Sequence, residues 1–142
     1  MIGEALTASE GETEEAGRRL AAELRPDDVV YLVGDLGAGK TCFARGVARG
    51  LGASPAEVAS PTFALLHEYA GTGGRIVLRH LDLYRLGDSS RELEVLGLPE
   101  SVQGAPVLVE WPSPALREVL PPTRMVAIAA ASETERRIRF GP

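Results

Sequence analysis

The stretch Gly34-Asp35-Leu36-Gly37-Ala38-Gly39-Lys40-Thr41 matches the pattern G-x-x-x-x-G-K-[ST] in full. Glycines in such a run let consecutive backbone N–H groups turn toward one anionic centre, which side chains at those points would obstruct. A helix starting at the end of the run adds its dipole to bound phosphates. Lys40 then reaches the β and γ phosphates of a nucleotide, and the Thr41 hydroxyl is a hard oxygen ligand for Mg²⁺. The chain has fourteen arginines and a single lysine, and that lysine sits here. Cys42, next in line, reads as a small residue packing beneath the loop rather than as a redox centre.

A phosphate loop needs an acidic partner, to hold Mg²⁺ through its shell or to position water. Val107-Leu108-Val109-Glu110 is an apolar run ending in a carboxylate, and the ends of parallel strands open onto the ligand crevice. Glu110 is the first candidate. Asp82 is the second, within His80-Leu81-Asp82-Leu83-Tyr84-Arg85. Strand alternation puts His80, Asp82 and Tyr84 on one face and the leucines on the other. A polar face of this kind either meets solvent or lines a site, and alternation alone favours solvent. Since Mg²⁺ prefers oxygen, His80 reads as an orienting or packed residue and not as a metal ligand. Arg85 reads as a structural ion-pair partner before a charge-stabilising one. Ser60-Pro61-Thr62-Phe63 is either a segment that responds to the γ phosphate or a turn entering a strand.

These residues need elements to position them. Val29 to Val33 is a short apolar run rich in β-branched residues and predicts a strand buried on both faces. The loop follows it, and Lys40 to Gly50 predicts a helix ended by Gly50-Leu51-Gly52. Ahead of this, residues 7–25 read as a helix, with Ser9 and Glu12 as a capping box. Thr62 to Tyr69 and Ile76 to Leu83 predict a hairpin around Gly71-Thr72-Gly73-Gly74. Ser89 or Ser90 caps a short helix through Leu96, Pro106 to Glu110 is a further buried strand, and Met125 to Ala131 with Arg136 to Phe140 form a terminal hairpin. The fold expected is a single α/β domain over residues 1–142, of the P-loop NTPase type. It has three layers and a mixed central sheet, parallel near the loop and antiparallel elsewhere.

Composition narrows the function classes. The 142 residues are 44% hydrophobic and 25% charged, an ordinary globular balance. The longest apolar run, Met125 to Ala131, falls far short of the ~18 residues of a membrane span. Five glutamates in the first fifteen residues are unlike a secretory signal, and one cysteine excludes an internal disulfide. A cytoplasmic protein is expected, with no membrane partner. A formal charge of −5 argues against tight, direct binding of nucleic acid.

Taken together, GDLGAGKT, SPTF, HLDLYRL and VEWP, in this order in so short a chain, resemble the TsaE (YjeE) family. These are the bacterial ATPases of threonylcarbamoyladenosine formation in tRNA. The resemblance runs from about Ala16 to Pro122. It implies ATP and Mg²⁺ as ligands, with the carboxylates of Asp82 and Glu110 serving magnesium and hydrolysis. It implies that Ser60, Pro61 and Thr62 form a switch near the γ phosphate, and that Trp111 is functionally important. It further implies slow ATP hydrolysis alone and faster hydrolysis with the TsaD–TsaB heterodimer, tRNA being reached only through that complex. Position 42 departs from the family, which usually has threonine there, while Thr41 is intact. No motif marks the base pocket, for which the segment near Glu10 and the turn near Thr134 are the places considered. The competing reading is a small-molecule or nucleoside kinase, but no arginine-bearing lid of convincing length is evident. Arg136, Arg137 and Arg139 cluster instead in the last expected strand.

Overall fold

A computed structural model describes residues 2–35, 37–54, 66–83, 97–98 and 100–142. Its centre is β2 (Val29–Val33), whose five residues VVYLV are almost wholly buried. Being apolar on both faces, β2 is covered by a core on each, and its two edges pair with neighbouring strands. β5 (Val107–Glu110) lies parallel to one edge of it, and β6 (Arg124–Ala130) parallel to the other. β4 (Ile76–Asp82) continues the parallel set beyond β5, and β3 (Leu66–Ala70) closes that side antiparallel to β4. On the far side β7 (Arg136–Gly141) runs antiparallel to β6, and β1 (Gly3–Thr7) antiparallel to β7. The seven strands form one sheet in the order β1-β7-β6-β2-β5-β4-β3. The sheet is mixed as expected, with its parallel strands beside the loop.

Alternation along the strands builds two cores. Val30, Leu32, Leu78, Leu108, Val126, Ile128, Ile138 and Phe140 pack with residues of α1 (Glu10–Ala21) and α2 (Lys40–Gly50), including Leu20, Phe43 and Val47. The opposite face gathers Val29, Tyr31, Leu81, Val107 and Val109 around Leu116 and Leu120, at the short helix α3 (Pro114–Val119). The layers are therefore α1 and α2, then the sheet, then α3. α1 and α2 cross at backbone contact. A Cβ built on Gly17 would lie 2.2 Å from the Phe43 carbonyl oxygen, and one on Gly46 would lie 1.8 Å from that of Glu14.

The first helix is shorter than its apolar spacing suggested, 10–21 and not 7–25. Ser9 caps it, its Oγ accepting from the Glu12 amide at 3.1 Å while Glu12 Oε1 accepts from the Ala8 amide at 3.0 Å. That cap places the helix start after Ser9 and releases Gly3–Thr7 to pair with β7. Helix α3 was not foreseen, although Ser113 as cap followed by Pro114 in the first turn is an ordinary start signal. The hairpin turn is a short 3-10 turn over Thr72–Gly74. The helix expected after Ser89 or Ser90, and the part of the β3 strand expected from Thr62, lie outside the described residues. Among the described residues no helix is long and apolar enough to cross a membrane.

Candidate functional site

Parallel register brings one end of three strands together. Leu32 pairs with Glu110, and Glu110 with Asp82, so β2, β5 and β4 finish level with one another. The chain leaving β2 becomes the glycine-rich loop, directly beside both carboxylates. This is the carboxyl-end crevice of a parallel sheet.

The loop needs glycine for two separate reasons. At Gly34, φ is +157° and a Cβ would lie 2.4 Å from the Ile128 carbonyl oxygen of β6, so the chain passes over β6 with no room for a side chain. At Gly39, φ is +106°, a left-handed start to α2 that an L side chain would strain. The N-cap residue Gly39 has no side chain to cap α2, and among the described residues none is seen to do so. Its first-turn amides, those of Lys40, Thr41 and Cys42, are thus open to an anion. Inside the loop, the Ala38 amide donates to the Asp35 carbonyl at 3.1 Å. Ala38 is buried, Asp35 and Gly37 are exposed, and Leu36 lies outside the described residues.

Lys40 is only 5% exposed. Its ammonium donates to the Gly34 carbonyl and stands 3.6 Å from the centroid of the Trp111 ring, a cation–π distance. Trp111 follows β5 directly and is the one non-glycine among the described residues with positive φ, at 57°. Burial pulls the Lys40 ammonium below the ordinary lysine range, and the carboxylates of Glu110, Asp82 and Asp35 oppose that pull. The structure thus gathers Lys40, Trp111, Asp82 and Glu110 around the loop. Thr41 opens α2 beside Lys40, and Cys42, half-buried, is a free thiol.

On the face that alternation alone assigned to solvent, His80 is buried in protein and Asp82 is half-buried. His80 is 8% exposed and Glu110 6%, and His80 Nε2 lies 2.6 Å from Glu110 Oε2. An ionised carboxylate only accepts, so Nε2 carries the donated proton. The imidazole is held from β3, with the Tyr69 ring stacked on it at 6.4 Å and the His67 ring edge-on at 5.8 Å. His80 is therefore an orienting partner of Glu110. Burial lowers His67, with His80 adding to the effect, and burial raises the Tyr69 phenol. Among the described residues no group of three or more His, Cys, Asp or Glu forms a ready-made metal site. Thr41, Asp82 and Glu110 instead offer a hydroxyl and two carboxylates, a hard, all-oxygen set.

Ser60, Pro61, Thr62, Tyr84 and Arg85 lie outside the described residues. Sequence reasoning missed Arg136. It opens β7, yet its Nη2 donates to the Gly37 carbonyl of the loop at 3.3 Å. No local motif signals this, because the contact depends on β7 lying beside β6 and β6 beside β2. Thr13 of α1 was missed as well, and its methyl would lie 3.6 Å from a Cβ at Gly39.

Comparisons with known proteins show the family and the fold. Residues 7–138 match the family model described as "Threonylcarbamoyl adenosine biosynthesis protein TsaE". A protein of Bacillus subtilis (strain 168) named tRNA threonylcarbamoyladenosine biosynthesis protein TsaE is 43% identical over 136 residues, covering 94% of this chain and 82% of the relative. Its counterpart of the same name in Rickettsia conorii is 38% identical over 128 residues, covering 90% and 71%. The crystal structure of Bacillus subtilis YdiB superposes with a TM-score of 0.68 at 35% identity, covering 99% of this chain and 86% of that one.

Proposed function

Because the chain belongs to the TsaE family, we propose that it is a magnesium-dependent ATPase serving threonylcarbamoyladenosine modification of tRNA. It acts by binding the TsaD–TsaB heterodimer according to its nucleotide state. The observation that carries the ATPase reading is the buried Lys40, set between a glycine-rich loop and two carboxylates on neighbouring parallel strands.

In this reading ATP lies along residues 34–42, its phosphates taken by the loop amides and the N-terminus of α2. Lys40 exchanges the Gly34 carbonyl for oxygens of the β and γ phosphates. Mg²⁺ would be held by the Thr41 hydroxyl and, directly or through water, by Asp82 and Glu110. The ion supplies neutralisation of phosphate charge. One of the two carboxylates orients the attacking water, and the hydrogen bond from His80 fixes the rotamer of Glu110. The segment Ser60–Thr62 senses the γ phosphate, so its loss on hydrolysis changes partner affinity. An acidic chain suits a role in which tRNA is reached only through the partners.

The test is ATP hydrolysis by the purified chain with Mg²⁺, alone and with TsaD–TsaB added. A low basal rate that rises with the partners is expected. Absence of nucleotide binding in the wild-type chain would overturn the reading.

A further inference from the structure

The phosphate loop rests on the β6–β7 hairpin at two points. Its first residue, Gly34, passes over the Ile128 carbonyl of β6 so closely that a Cβ would lie 2.4 Å from that oxygen. Its outer turn is reached by Arg136 from β7, 99 residues away in the chain. The Arg136 stem covers Gly39, since a Cβ there would lie 3.7 Å from Arg136 Cγ and 3.8 Å from Nε. The guanidinium bridges two structures. Nη1 donates to the carbonyls of Ser132 at 3.1 Å, Glu133 at 3.4 Å and Glu135 at 2.9 Å, which close the β6–β7 turn. Nη2 donates to the Gly37 carbonyl. A single planar fork thus joins the turn to the loop, which a lysine ammonium cannot do with the same geometry.

We propose that Arg136 is a positioning residue for the nucleotide: it clasps the Gly37–Ala38 peptide to the β6–β7 turn and so preorganises the loop for phosphate. This rests on the nucleotide-binding reading above. The loop amides bind phosphate well only if they already converge, because ordering them at the moment of binding costs affinity. The bond to the Gly37 carbonyl braces the loop beside the turn that the Ala38 amide closes on the Asp35 carbonyl, and the charge of Arg136 adds to that of Lys40. The neighbouring Arg137 and Arg139 do something different, pairing with Glu4 of β1.

The experiment measures the affinity of the full chain for ADP and ATP, together with kcat and KM for ATP. Wild type is compared with R136A, R136K, R137A and K40A. Loss of a hydrogen-bonded charged group is expected to weaken R136A about tenfold in both Kd and KM, with kcat within about twofold. R136K is expected to recover little of the affinity, and R137A to match wild type. Hydrogen exchange of the nucleotide-free chain is expected to quicken over residues 34–42 in R136A, with no change over α1. Wild-type affinity in R136A, with K40A unable to bind, overturns this inference alone. Full rescue by R136K would also overturn it, since charge and not the fork would then be responsible. A wild-type chain that binds neither nucleotide overturns the nucleotide reading and this inference with it.

Discussion

Substituting Gly46 by alanine tests what holds the phosphate loop in place from beneath. α2 carries Lys40 and Thr41 at one end, and α1 crosses it at Gly46. A Cβ on Gly46 would lie 1.8 Å from the Glu14 carbonyl oxygen and 2.7 Å from its carbon. Real Cβ atoms essentially never approach a heavy atom within 3.0 Å, so the helices must separate by at least 1.2 Å there, the difference 3.0 − 1.8. Both neighbouring atoms are backbone, so no side chain can turn aside. Separation loosens Phe43 and Val47 of α2, which are fully buried against the sheet. Overpacking of this kind costs about 3 kcal/mol or more, against about 1 kcal/mol regained from alanine's helix propensity. A net loss of about 2–3 kcal/mol corresponds to a fall in Tm of roughly 4–12 °C for a domain of this size. The assay is thermal and urea unfolding followed by the fluorescence of Trp111, the chain's single tryptophan. Gly11→Ala is the matched control. Gly11 is exposed in the first turn of α1, and a Cβ there meets only Ser9 Oγ at 3.8 Å. The same substitution should stabilise there, by about 0.5–1 kcal/mol. A Gly46→Ala protein as stable as wild type would refute the claim that backbone contact sets the crossing.

Three further outcomes are expected. Lys40→Ala should abolish ATP binding and turnover, as measured by calorimetry and phosphate release, and normal hydrolysis would mean that the site is misplaced. Asp82→Ala and Glu110→Ala should each leave nucleotide binding largely intact and cut hydrolysis by about 10²-fold or more, the scale of a lost acid–base or water-orienting group; two variants hydrolysing normally would remove both carboxylates from the reaction. Burial pushes the Tyr31 phenol up to about 12, with Arg117 opposing weakly, while its hydroxyl donates to the Leu120 carbonyl at 2.6 Å. An unfolded phenol titrates near ~10, so between these values the folded state binds the extra proton. Stability from Tyr31 is therefore complete below about pH 10 and is lost as pH rises toward about 12. Tyr31→Phe should flatten that alkaline fall in urea unfolding, and an unchanged slope would show that the phenol is not what titrates.

What the sequence revealed about this site and what it hid differ by the range of the interaction. The loop was legible because Gly34, Gly39, Lys40 and Thr41 do their work within eight residues of chain, between a strand and a helix with signals of their own. Glu110 was legible for a similar reason, as a carboxylate closing the apolar run 107–109. His80 and Asp82 were placed on the correct common face, but alternation cannot say what covers a face. That depends on β4 joining β5 in parallel, which sets Asp82 opposite Glu110 and turns His80 onto it. The first helix was overextended because Leu20 and Leu24 keep helical spacing, whereas β1 has no apolar run to declare it and exists by pairing with β7. Arg136 lies at the far end of the same scale. Its sequence neighbourhood is an ordinary charged hairpin, and only the parallel pairing of β6 with β2 carries it to Gly37. The residues of the candidate site are therefore written locally, while the parts that hold them in position are written in strand order. If Arg136 sets nucleotide affinity, one lever on the loop lies 99 residues away, at a position that no local motif identifies.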